Sequence, residues 1–159
     1  MKIRSESPET TREIAALLAA VSVPGDLIVL AGDMGAGKTC FAGGFAHGLG
    51  INDRITSPTF TLVNTYDGRV RLHHLDVYRL DQLHEALDLG LAELLDDGSV
   101  TLIEWGDVIS PVLPSDYMEI QMDYDDDDEH VRTMTLVQVG GSWATRMPEI
   151  ATALEQWSC

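Results

Sequence analysis

Between Asp26 and Leu49 the chain passes from a strand-length apolar run, Asp26-Leu27-Ile28-Val29-Leu30-Ala31, through Gly32-Asp33-Met34-Gly35-Ala36-Gly37-Lys38-Thr39, into a segment able to continue as a helix from Thr39 to Leu49. This order of strand, glycine-rich loop and helix constrains the fold more than any other feature. The eight loop residues satisfy G-x-x-x-x-G-K-[ST], in which backbone amides can curl around a polyphosphate. Lys38, one of only two lysines in the chain, can reach the β and γ phosphates, and the Thr39 hydroxyl can hold Mg²⁺. A helix starting near Lys38 points its positive end at the same anion. Gly43, Gly44 and Gly48 weaken that helix by ~1 kcal/mol each relative to alanine, so packing must hold it.

The remaining pattern predicts an α/β chain. Apolar residues at Ile14, Leu17, Leu18 and Val21 predict a helix over Thr11–Val21, with Glu9, Thr10 and Thr11 as start signals and Pro24-Gly25 ending it. Phe60–Tyr66 and Arg69–Leu75 are β-prone runs separated by Asp67-Gly68, a hairpin signal. Leu83–Leu95 reads as a helix, and Ser99–Trp105 as a buried strand closing on an acid. Tyr117–Met122 and Val131–Val139 form another strand pair around the acidic run Asp123–Glu129, and Ala144–Trp157 can supply a last helix. At 159 residues, with no linker or repeat, these elements fit one domain, 1–159. The expected fold is a P-loop NTPase-like three-layer α/β fold with a mixed central sheet and antiparallel hairpin additions.

Charge narrows the partners. Twenty-six acidic residues against 10 basic ones leave a net charge of −16, which opposes independent approach to a nucleic-acid backbone. The acidic run is best read as a solvated hairpin loop, with a cation site or docking surface as the functional alternative. No apolar stretch approaches the ~20 residues of a membrane span, and Met1–Ser7 lacks a signal-peptide core, so a cytoplasmic location is expected. Cys40 and Cys159 offer neither a disulfide framework nor metal-ligand spacing.

A phosphate loop needs an acid at a neighbouring strand end to organise Mg²⁺. Glu104, after Val100–Ile103, is placed for that work, and Asp76 is a second candidate; either acid can orient water or hold the metal through water. His73 and His74 point to opposite faces of a strand and read as ordinary strand histidines. Thr59, in Ser57-Pro58-Thr59, is either a γ-phosphate sensor or a turn residue. Trp105, directly after the acid, is either a partner or switch residue or a core residue.

Gly32–Thr39, Thr56–Val63, His74–Leu80 and Leu102–Trp105 together, in this order, resemble the four signatures of the bacterial TsaE (formerly YjeE) family. Departures are mild: Met34, Cys40 and Gly106 stand where other residues are more usual. The resemblance implies a P-loop ATPase, with ATP and Mg²⁺ as cofactors, required for threonylcarbamoyladenosine formation beside the anticodon of tRNA. It implies TsaB and TsaD as partners and contact with tRNA only through their complex. Lys38, Asp76 and Glu104 would be catalytic, and Thr39 and Glu104 would coordinate Mg²⁺. Gly35, Ala36, Gly37, Lys38, Thr39, Cys40 and Asp76 would bind the nucleotide, joined by Thr11 and Arg132 near the two ends of the matched region. Two alternatives remain open from the residues alone: a small-molecule kinase, for which the eight scattered arginines are a poor clamp, and a nucleotide-dependent interaction module that does not hydrolyse.

Overall fold

A computed structural model describes residues 1–58, 61–78, 88 and 90–159. The chain opens on β1 (Lys2–Ser5), α1 (Pro8–Ala20), β2 (Leu27–Ala31) and α2 (Lys38–Gly48). It continues through β3 (Val63–Tyr66), β4 (Leu72–Asp76), α3 (Leu91–Asp96) and β5 (Val100–Glu104). A 3₁₀ stretch Gly106–Val112, β6 (Tyr117–Tyr124), β7 (Arg132–Val139), α4 (Met147–Ala153) and a 3₁₀ turn Glu155–Trp157 complete it.

The seven strands form one mixed sheet in the order β1-β7-β6-β2-β5-β4-β3. The inner strands β6, β2, β5 and β4 are parallel, and β3, β7 and β1 add antiparallel edges. Every residue of β2 and β5 is buried, which is why both read as unbroken apolar runs. Alternation divides β2 between two cores: Ile28 and Leu30 join Phe41, Phe45, Ile14 and Leu18 under α1 and α2, whereas Leu27 and Val29 join Ile103, Leu75, Leu91 and Ile109 on the opposite face. Helical elements therefore cover both faces, giving three layers.

Two of the three glycines of α2, Gly44 and Gly48, have a packing reason. A methyl at Gly48 would lie 2.6 Å from the Ala16 carbonyl oxygen, and one at Gly44 would overlap the Arg12 backbone. The two helices approach backbone to backbone, and the contact offsets the low propensity of these residues.

Several boundaries differ from the sequence expectation. Helix α1 begins at Pro8 because Ser7 caps it, its hydroxyl accepting from the Thr10 amide at 3.1 Å, with proline in the first turn where its missing N–H costs nothing. The hairpin is not closed by Asp67-Gly68 alone. Tyr66 pairs with Leu72, leaving residues 67–71 as a loop whose backbone is claimed elsewhere: Arg69 N–H by the Leu49 carbonyl at 2.7 Å, and the Arg71 carbonyl by Val100 N–H at 2.8 Å. Strand β6 runs two residues past Met122, so Asp123 and Tyr124 belong to it, and the rest of the acidic run is a largely exposed loop. The last helix is confined to Met147–Ala153 plus the 3₁₀ turn. Strand β1, absent from the expected elements although Met1-Lys2-Ile3-Arg4 alternates apolar and polar residues, pairs with β7 at the sheet edge. Of the helix expected over Leu83–Leu95, residues 83–87 and 89 lie outside the described residues. Among those described, no helix is long and apolar enough to cross a membrane.

Candidate nucleotide-binding site

Where β2 ends, the chain must turn sharply away from the sheet. Gly32 does this at φ 132°, with its missing side chain facing the Met122 carbonyl of β6, so no other residue fits. The loop then folds on itself through Ala36 N–H to the Asp33 carbonyl at 3.1 Å and enters α2 at Gly37 in the left-handed conformation. The result is one wall of a cleft of about 340 Å³ at the carboxyl ends of β2, β4 and β5, the position at which open α/β sheets bind ligands.

The Lys38 ammonium donates to the Gly32 and Asp33 carbonyls at 2.6 and 2.8 Å and lies 3.7 Å from the centre of the Trp105 ring. Burial pulls its pKa below the usual lysine range, while the surrounding carboxylates of Glu104, Asp107, Asp76 and Asp33 partly oppose that shift. Opposite it, the Thr39 hydroxyl lies 3.1 Å from both carboxylate oxygens of Glu104. Asp76 sits beside Glu104 in register on the next strand, accepting from the Ser57 hydroxyl at 2.6 Å and from Tyr78 N–H at 3.0 Å. Trp105 leaves β5 at φ 62°, a conformation unusual for a bulky residue, and this turns its ring over Lys38 and against Tyr78, 4.6 Å between centroids.

His74 makes a contact that strand alternation alone did not reveal. Its Nε2 lies 2.8 Å from a Glu104 carboxylate oxygen, and the side chain is fully buried. The other ring nitrogen, Nδ1, is buried with no hydrogen-bond partner among the described residues. The period of two along β4 that separates His73 from His74 also puts His74 on the same face as Asp76, and that was the available signal. His73 instead bonds Thr65 and Asp97, at 2.9 and 2.6 Å.

Gly35, Gly37, Lys38 and Thr39 thus meet Asp76 and Glu104 around one cleft. Cys40 also reaches its edge; burial pushes its thiol pKa up, and its Sγ donates to the Pro8 carbonyl at 3.5 Å. Ala36 is buried within the loop. Thr11 is not a cleft wall: it is a buried residue of α1, with its hydroxyl 2.8 Å from that of Ser5. Arg132 lies behind the loop, bonded to loop carbonyls. Thr59 falls outside the described residues. Thr39 and Glu104 present hard oxygen donors side by side, a set that suits Mg²⁺.

Comparison with known proteins supplies the family. The profile described as "Threonylcarbamoyl adenosine biosynthesis protein TsaE" matches residues 5–134. The chain belongs to the TsaE family. It is 43% identical over 152 residues to the tRNA threonylcarbamoyladenosine biosynthesis protein TsaE of Bacillus subtilis, covering 95% of this chain and 94% of that one. The TsaE proteins of Treponema pallidum (43% identity, 72% of this chain and 84% of that one) and Streptomyces coelicolor (38%, 84% and 94%) are also similar. The crystal structure of Bacillus subtilis YdiB superposes with a TM-score of 0.83 at 37% identity, over 96% of this chain and 94% of that one. The family match ends at Met134, within β7, so it takes in the loop, both cleft acids and Arg132.

Proposed function

We propose that this TsaE-family chain binds ATP with Mg²⁺, hydrolyses it, and serves in tRNA threonylcarbamoyladenosine biosynthesis as the cytoplasmic ATPase of a TsaB–TsaD assembly. The observation that carries the reading is the seating of Thr39 on Glu104 beside Lys38, at the mouth of a loop shaped for anions. An incoming polyphosphate competes with the Gly32 and Asp33 carbonyls for the Lys38 ammonium, replacing neutral acceptors by an anion. Thr39 and Glu104 would hold Mg²⁺, which supplies neutralisation of the phosphate charge. His74 holds the Glu104 carboxylate, and Ser57 with Tyr78 N–H holds that of Asp76, which would orient water.

The partner role is supported by the rim of the cleft. Met34 and Tyr78 line the cleft and are exposed, Tyr78 against Trp105, an apolar border that another protein can cover. A net charge of −16 leaves tRNA contact to the partners. The test uses cells lacking their own TsaE, with threonylcarbamoyladenosine in tRNA read by mass spectrometry. The wild-type chain should restore the nucleoside, and Glu104→Gln should not. ATP hydrolysis by the purified chain, measured with and without TsaB–TsaD, runs alongside. Restoration by a variant that binds but does not cleave ATP would reduce the ATPase to a nucleotide-dependent binding module, and absence of restoration by wild type would overturn the pathway assignment.

A further inference from the structure

Three successive carbonyls of the phosphate loop are held from outside the cleft by two residues of the β6–β7 pair. The Tyr124 hydroxyl donates to the Met34 carbonyl. The Arg132 guanidinium donates through one terminal nitrogen to Gly35 O at 3.4 Å and through Nε to Ala36 O at 3.2 Å. The guanidinium is itself fixed, bonded to the Glu129 and Val131 carbonyls at 2.6 and 2.7 Å and lying 4.5 Å over the Tyr124 ring. These contacts tie the tip of the β6–β7 hairpin to the loop.

In a planar trans peptide the carbonyl of one residue and the N–H of the next point in opposite directions. Drawing the carbonyls of Met34, Gly35 and Ala36 toward the hairpin therefore turns the N–H groups of Gly35, Ala36 and Gly37 away from it. That of Ala36 is spent on Asp33, whereas Gly35 and Gly37 line the cleft. We infer that Tyr124 and Arg132 are positioning residues which brace the phosphate loop by its carbonyls, so that its amides face a polyphosphate before the ligand arrives. This rests on the nucleotide reading of the cleft and differs from a direct contact between Arg132 and the nucleotide. Pre-orienting the amides removes an ordering cost that binding would otherwise carry, and the benefit goes to the phosphates, whatever base is attached.

Inorganic tripolyphosphate, which has no base, separates these roles. Its affinity and that of ATP are measured by calorimetry for wild type, Tyr124→Phe, Arg132→Gln and the double variant, with thermal melting of each ligand-free protein. The brace predicts that each single substitution weakens both ligands by the same factor, roughly three- to tenfold per lost set of hydrogen bonds, with little change in melting. It further predicts altered amide ¹H–¹⁵N shifts at Gly35 and Gly37 in the ligand-free variants, and partial recovery in Arg132→Lys. Loss of ATP affinity with tripolyphosphate unchanged would assign Arg132 to the base or sugar and overturn the brace. Unchanged affinities for both would also overturn it, as would a loss that follows melting temperature with no shift at the two glycines. Failure of the wild-type chain to bind either polyphosphate would instead overturn the nucleotide site on which the brace depends.

Discussion

A cation lies over a tryptophan ring at each end of the sheet, and the two arrangements have opposite consequences. Below the amino end of β2, Arg146 stacks 4.0 Å from the Trp143 ring and grips Asp26 with both terminal nitrogens, at 2.6 and 2.8 Å, while also donating to the Val21 carbonyl. At the carboxyl end, Lys38 lies 3.7 Å from the Trp105 ring, but its hydrogen bonds go to two neutral carbonyls. Among the described residues no carboxylate comes within ion-pair distance of it. A charge matched by an opposite charge in bidentate geometry has little to gain from a ligand. One that burial has destabilised and only carbonyls satisfy gains much from an arriving anion.

Separate failure of the two ends is the strongest way to break this comparison. Arg146→Ala leaves the buried Asp26 carboxylate without its counter-charge and should cost about 3 kcal/mol, read by denaturant unfolding, with ATP affinity unchanged once the protein is folded. Lys38→Ala should do the reverse, lowering ATP affinity roughly a hundredfold, equivalent to ~2.7 kcal/mol, while the melting temperature stays level or rises because a desolvated cation has gone. A Lys38→Ala protein that binds ATP normally, or one that unfolds, would show that the two cations are not so different.

The helix that carries Lys38 sharpens the comparison. Gly48→Ala presses a methyl onto the Ala16 backbone and should destabilise by about 1–3 kcal/mol, whereas Gly43→Ala, with nothing within 4 Å of the new methyl, should stabilise by up to ~1 kcal/mol. Thermal melting of the pair decides whether close helix crossing, and not glycine flexibility at the site, accounts for these residues. The smallest expected effect belongs to Asp97. Hydrogen bonds from His73 and then Ser99 hold its folded pKa at about 2 against an ordinary 3.8. A depressed carboxylate pKa contributes stability that is fully present above the ordinary value and lost as pH falls through the folded one. Unfolding measured from pH 5 down to about pH 2 should therefore show an acid-side decline that is shallower in Asp97→Asn, by a small amount because the carboxylate is one-third exposed. An identical slope in both proteins would mean that His73 leaves Asp97 energetically indifferent.

The loop, the strand that feeds it, the helix it opens and the acid at Glu104 were legible in the sequence because each depends on local order: an apolar run, fixed glycine spacing, and a carboxylate at a strand end. Only tertiary structure decided what lies next to what. His74 reaches Glu104 because β4 and β5 pair in one register out of several that the apolar pattern would accept. The hairpin turn opened to five residues because Leu49 and Val100, distant in sequence, compete for its backbone groups. Arg132, linked to nucleotide binding by family resemblance, faces the back of the loop because β7 is joined to β6 and β6 lies beside β2. Apolar runs and positive-φ glycines are local and leave a mark in the chain order, whereas the direction from which a side chain approaches a sequence-distant partner is set by strand order and packing, which no local pattern records.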